Sequence, residues 1–125
     1  MATRSTIAKS IPGGYMAVYC HWDGYPTKPG VGWTLRKYYK SPTKIDKLIK
    51  LGDISSLGEN IGRKHKFGTD VSEKGWTTFY GRDRNEKGVN YKILHTLNDL
   101  KKYADKMGTE YLYVYSNGDW HTFKI

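Results

Sequence analysis

The sequence is short of several things that would mark a large protein class. Its 125 residues hold one cysteine, Cys20, which can close no intrachain disulfide and so excludes a disulfide-stapled secreted scaffold. No apolar run approaches the roughly 20 residues of a membrane-spanning helix, and no membrane partner is expected. Met1 to Ile7 lacks the apolar core of a secretory signal, which points to the reducing cytoplasm. Proline occurs four times, and no Pro-rich or Ser-rich linker, low-complexity tract or repeat divides the chain. A single domain over residues 1–125 is expected.

Negative charge is scarce as well. Twelve Asp and Glu face 21 Lys and Arg, for a formal charge of +9. That surplus favours anionic partners such as nucleic acid, nucleotides or acidic surfaces. Many lysines (Lys44, Lys47, Lys50, Lys101, Lys102, Lys106) fall on expected helices, where solvation alone explains them. The five arginines, Arg4, Arg36, Arg63, Arg82 and Arg84, are better candidates, because a planar guanidinium makes a phosphate fork. Aromatic residues are abundant at 14%, with 11 Tyr and 4 Trp. Interleaved with cations they suit nucleotides or single-stranded nucleic acid, although most must serve the core where aliphatic residues are few.

The hydrophobic pattern predicts strands over Thr3–Lys9 and Tyr15–Trp22, joined at Pro12-Gly13-Gly14. A Gly/Pro-rich loop follows from Asp23 to Gly32. Trp33–Tyr39 reads as a short helix. A second helix starts at Ser41-Pro42 and stops at Gly52. Asp53–Gly58 reads as a tight turn and 63–75 as a loop. Trp76–Tyr80 is strand-like and runs into Gly81-Arg82-Asp83-Arg84, and Val89–Leu94 returns as a strand. Thr96 caps a helix that Gly108 closes. Glu110–Tyr115 and Trp120–Lys124 form a hairpin across Asn117-Gly118. The sum is an α+β domain, an antiparallel sheet of about six strands with two or three helices packed on it.

Two segments concentrate chemistry. Tyr19-Cys20-His21-Trp22-Asp23-Gly24-Tyr25-Pro26 ends a strand and enters the loop, a common place for a site. The four histidines, His21, His65, His95 and His121, show no metal-ligand spacing with Cys20 or Asp23, so no metal is expected. Cys20 lacks the base a nucleophile needs, since His21 projects to the other strand face. The second segment is Phe79-Tyr80-Gly81-Arg82-Asp83-Arg84. On a strand, Arg82 and Arg84 would share a face and could hold two phosphates; equally, one of them could pair with Asp83 or Asp23 and fix a loop. Phe79 and Tyr80 suit a core as well as a base-stacking platform. Gly30-Val31-Gly32 before a helix offers backbone N–H groups to an anion. Walker and dinucleotide fingerprints are missing.

Thr3-Arg4-Ser5-Thr6-Ile7, the Tyr19–Pro26 and Gly30–Gly32 segments, Leu51-Gly52-Asp53-Ile54-Ser55-Ser56-Leu57-Gly58 and Phe79–Arg84 resemble a family of small phage proteins that defeat Thoeris immunity, the first type of Thoeris anti-defence protein. The resemblance spans most of the chain. It implies a sponge rather than an enzyme, with no cofactor, acting in the cytoplasm of an infected bacterial host. Such proteins sequester cyclic ADP-ribose isomers made by a host TIR-domain enzyme, and some also trap cyclic di- or trinucleotides at separate sites. It further implies a homo-oligomer with pockets at a subunit interface. For such a ligand, Trp22, Tyr25 or Phe79 could stack on the base. Arg82 and Arg84 could hold phosphates, with Arg4 and Arg36 as further candidates, and Asp23 or Asn90 could bind ribose hydroxyls beside His21. The Gly24–Gly32 loop could close the pocket. Two other classes stay open: a basic nucleic-acid-binding protein or inhibitor of a host nuclease, and a phosphodiester-cleaving enzyme using His21 or His121.

Overall fold

A computed structural model describes residues 2–66 and 75–125. The chain runs β1 (Ser5–Ile11), β2 (Gly14–Cys20), α1 (Val31–Tyr38), α2 (Pro42–Lys50), β3 (Ile54–Ser56), β4 (Thr78–Phe79), α3 (Tyr80–Arg84), β5 (Lys92–Leu94), α4 (Leu97–Lys106), β6 (Tyr111–Ser116) and β7 (Asp119–Lys124). The fold is α+β, as the sequence predicts, with one sheet ordered β4-β3-β2-β1-β6-β7 and β5 paired to β2.

The β1–β2 and β6–β7 hairpins form as expected. Asn117 and Gly118 both take positive φ, the geometry whose twist suits a two-residue hairpin. What sequence periodicity does not reveal is how the two hairpins join. β1 and β6 pair in parallel, with Thr6 against Leu112, and β2 meets β3 in parallel at Cys20–Ile54. The sheet is therefore mixed. The Asp53–Gly58 stretch, expected as a turn, contributes β3 to it.

Helices cover both faces. On one side Ile7, Val18 and Tyr113 pack under Leu35 of α1 and Ile45, Leu48 and Ile49 of α2. On the other, Ala8, Ala17, Leu112 and Val114 meet Leu100 and Ala104 of α4. Small alanines in the central strands let α4 lie close. Local caps fix the helix starts: the Ser41 side chain accepts from the Lys44 N–H, and the Thr96 hydroxyl accepts from the Asp99 N–H. Tyr39 is fully buried, yet its hydroxyl donates to the Gly58 carbonyl at 2.7 Å, so its polar end is satisfied.

The segment expected to extend a strand through Arg82 and Arg84 is instead the short helix α3. Asp83 is the reason. Its carboxylate accepts from the Phe79 N–H at 2.8 Å, satisfying a donor at the helix entrance, and from the His65 N–H at 3.1 Å. Asn85 then ends the helix in the left-handed conformation. The expected 63–75 loop is irregular over 63–66, and 67–74 lie outside the described residues.

Candidate functional site

The parallel β1–β6 pairing brings the residues before each strand side by side. The Glu110 N–H donates to the Arg4 carbonyl at 2.8 Å. At the same end of the sheet β2 delivers His21 and Trp22. Ala2, Arg4, His21, Trp22, Gly108 and Glu110 line a cleft of about 340 Å³. Trp22 is 47% exposed, which is unusual for so large an apolar ring. Its ring meets His21 edge-on at 4.7 Å between centroids. The Trp22 N–H donates to the Ser55 carbonyl, so the backbone beneath the ring is held by β3.

His21 is held in turn. Its Nδ1 lies 2.7 Å from the Tyr19 hydroxyl. Burial pushes the Tyr19 phenol up, so it stays protonated. When that O–H donates to Nδ1, the imidazole proton sits on Nε2. Burial, with the positive charge of Arg4, pulls His21 below its ordinary value. The imidazole is thus neutral at pH 7, and an incoming anion would favour its protonation.

Three of the predicted site residues, Arg4, His21 and Trp22, therefore share one cleft, and Asp23 follows directly on the chain. The others are dispersed. Asp23 takes positive φ, and its carbonyl accepts from the Val31 N–H. The Tyr25 carbonyl accepts from the Gly32 N–H. The Gly30 N–H goes to the Thr27 carbonyl, so all three N–H groups of Gly30-Val31-Gly32 are spent inside the loop. They are not an anion cradle. Nor is this loop a hinged flap: Gly24 N–H donates to the Thr3 carbonyl, and Tyr113 donates to the Gly24 carbonyl at 2.6 Å.

Arg36 donates to the Pro26 carbonyl at 2.8 Å. It lines a second cleft of about 270 Å³ with Lys40, Tyr115, Asp119 and Trp120. That cleft lies at the opposite end of β6. Asn90 is exposed on the chain that returns to β5.

Phe79 is fully buried, so no base can stack on it. The Arg82 guanidinium lies over its ring at 4.5 Å. Nε and Nη2 of Arg82 pair with Asp83, Nη1 donates to the Ile61 and Gly62 carbonyls, and Nη2 also donates to the Thr77 carbonyl. Arg82 is thereby committed to the fold. Burial alone would raise the Asp83 carboxyl, but the hydrogen bonds from Arg82, Phe79 and His65 outweigh it and hold the group below its ordinary value. Arg84 stays exposed, with Nε 3.4 Å from Glu86.

Burial pushes the Cys20 thiol up to about 12, which makes it inert at neutral pH. Among the described residues no three His, Cys, Asp or Glu side chains gather as a metal site would require. The residues that sequence reasoning missed, Glu110 and Gly108, reach the cleft only through the β1–β6 pairing, and no local pattern announces a contact across 106 positions, as between Arg4 and Glu110. Among known proteins, the chain matches no family model, no curated sequence and no solved structure.

Proposed function

We propose that the protein binds and sequesters a cyclic ADP-ribose-type nucleotide without cleaving it, in keeping with the resemblance to phage Thoeris anti-defence sponges. One observation carries this reading: Trp22 stands half-exposed against His21, next to Arg4, in a cleft of about 340 Å³. Trp22 supplies a flat face for adenine. Arg4 supplies a forked donor for a phosphate. Glu110 is an acceptor for a ribose hydroxyl or the adenine amino group. The cleft is at the lower end of the 300–1,000 Å³ range of small-molecule sites. A nucleotide lying in it would keep part of its surface wet, so a second subunit is the natural cover.

The test is native mass spectrometry of the protein with cyclic ADP-ribose isomers, followed by recovery of the ligand. Stoichiometric retention of unmodified nucleotide is expected. Trp22→Ala should weaken binding roughly fivefold or more, given ~1–3 kcal/mol per stacked base. Its urea midpoint should stay near wild type, because exposed substitutions cost little. Retention unaffected by this substitution would remove Trp22 from the site, and recovery of a cleaved nucleotide would replace the sponge with an enzyme.

A second reading has its own observation. On α1, Trp33 is flanked by Lys28 and Lys37, whose Nζ atoms lie 5.2 and 4.9 Å from its ring, and Arg36 and Lys40 continue the basic strip. This suits a single-stranded nucleic acid. It predicts oligonucleotide binding that falls steeply with salt and is indifferent to Trp22→Ala.

A further inference from the structure

We infer that β7 is a self-association edge, which pairs antiparallel with β7 of a second copy about a twofold axis at Thr122. β7 ends the sheet, and among the described residues no strand pairs with its outer side. The register of the β6–β7 hairpin decides which groups face outward. Ser116 pairs with Asp119 across the two-residue turn, and the Ile125 N–H donates to the Glu110 carbonyl. In an antiparallel ladder the bonded positions alternate. Asp119, His121 and Phe123 therefore bond to β6, whereas Trp120, Thr122 and Lys124 direct their N–H and C=O groups away from it.

Symmetry then restricts the pairing. A twofold axis between antiparallel strands stands perpendicular to the sheet, so facing residues must lie on the same face. Outward-bonding positions must also face one another. Centring on Thr122 meets both conditions and uses all three outward positions. Trp120 faces Lys124 of the partner subunit, Thr122 faces Thr122 of the partner subunit, and about six main-chain bonds form. The side chains are self-complementary in this register. Each lysine comes over the partner's indole, a cation–π pair repeated by symmetry. Asp119 and Lys124 cancel, so the six side chains of β7 itself carry no net charge on a +9 chain, with Arg36 and Lys40 lining the cleft beside Trp120. That neutrality favours a second copy over a peptide of either charge.

An edge of six residues buries less than the ~800 Å² per partner of a standard stable interface, so the dimer is concentration-dependent. Because the rest of each copy is positive, it should tighten as salt screens the repulsion. The inference gives a surface to the oligomer invoked above but is tested without nucleotide, so the two stand or fall separately.

Sedimentation equilibrium of the full chain should show mass rising with concentration from 14.4 kDa toward twice that value. Thr122→Pro deletes an outward N–H that β6 does not use, and edge strands tolerate proline. It should weaken association at least tenfold and leave the unfolding midpoint close to wild type. Register is read separately. Thr122→Cys should be joined into a covalent dimer by a short bis-maleimide, whereas Asp119→Cys, about 20 Å from its symmetry mate in this register, should not. The buried Cys20 gives no background. A monomer at all concentrations, a dimer that survives Thr122→Pro, or equal linking at both positions would overturn the proposal.

Discussion

At the scale of single residues, side chains of the same chemistry have opposite duties. Arg82 spends its donors on Asp83 and three backbone carbonyls, whereas Arg4 lines an open cleft. Arg82→Ala strands a carboxylate that is wholly buried. The expected loss is about 3 kcal/mol, read as a lower urea midpoint. Arg82→Lys should recover little of it, since a single ammonium cannot replace a fork that reaches four partners. Asp83 gives the same network a pH signature. Its folded-state carboxyl lies below the ordinary 3.8, so the unfolded chain binds the proton more readily. The stabilisation is complete above about pH 4 and is lost as pH falls through the native value. Urea titrations between pH 2.5 and 6 should show that fall, and Asp83→Asn, less stable at neutral pH, should show a shallower one. Sequence spacing allowed Arg82 to be either a phosphate ligand or a loop clamp; only the fold, which puts the 61–62 carbonyls beside it, decides.

At the scale of elements, legibility follows the range of the forces. Ser41 and Thr96 cap their helices through bonds three residues long, and Asn117-Gly118 makes its own turn, so these were all readable from local pattern. α3 was not readable, because Thr77–Tyr80 has strand propensity and the helix start depends on a buried carboxylate that also holds His65. The short β3 was missed for a similar reason: it exists by pairing with β2 and β4. The loop between β2 and α1 shows how far a glycine can matter without unusual φ. A Cβ on Gly30 would run into the Tyr25 carbonyl and ring. Gly30→Ala should therefore destabilise by about 1–3 kcal/mol, the usual range for overpacking, measurable by thermal unfolding.

At the scale of the whole molecule, the α+β class was legible from hairpin and helix signals, while the joining of the halves was not. Neither hairpin alone encloses a core; the parallel seam between β1 and β6 puts Ile7 and Tyr113 under the same helices. The charge of +9 spread over so small a body opposes compaction. Raising salt from about 10 to 150 mM shortens the screening length from ~30 to ~8 Å, and the melting temperature should rise by a few degrees. An unchanged value would mean that the cations are already separated or paired well enough to neutralise one another.

The same seam has a consequence for how the protein comes into being. Thr6 waits for Leu112, a partner synthesised 106 residues later. At about 5–20 residues per second a nascent chain spends roughly 5–20 s with its first hairpin built and its inner edge uncovered. The outermost strand, β7, leaves the ribosome later still. Assembly of the sheet therefore cannot proceed vectorially from β1, and its middle closes only when β6 arrives beside β1, with β7 added outside it.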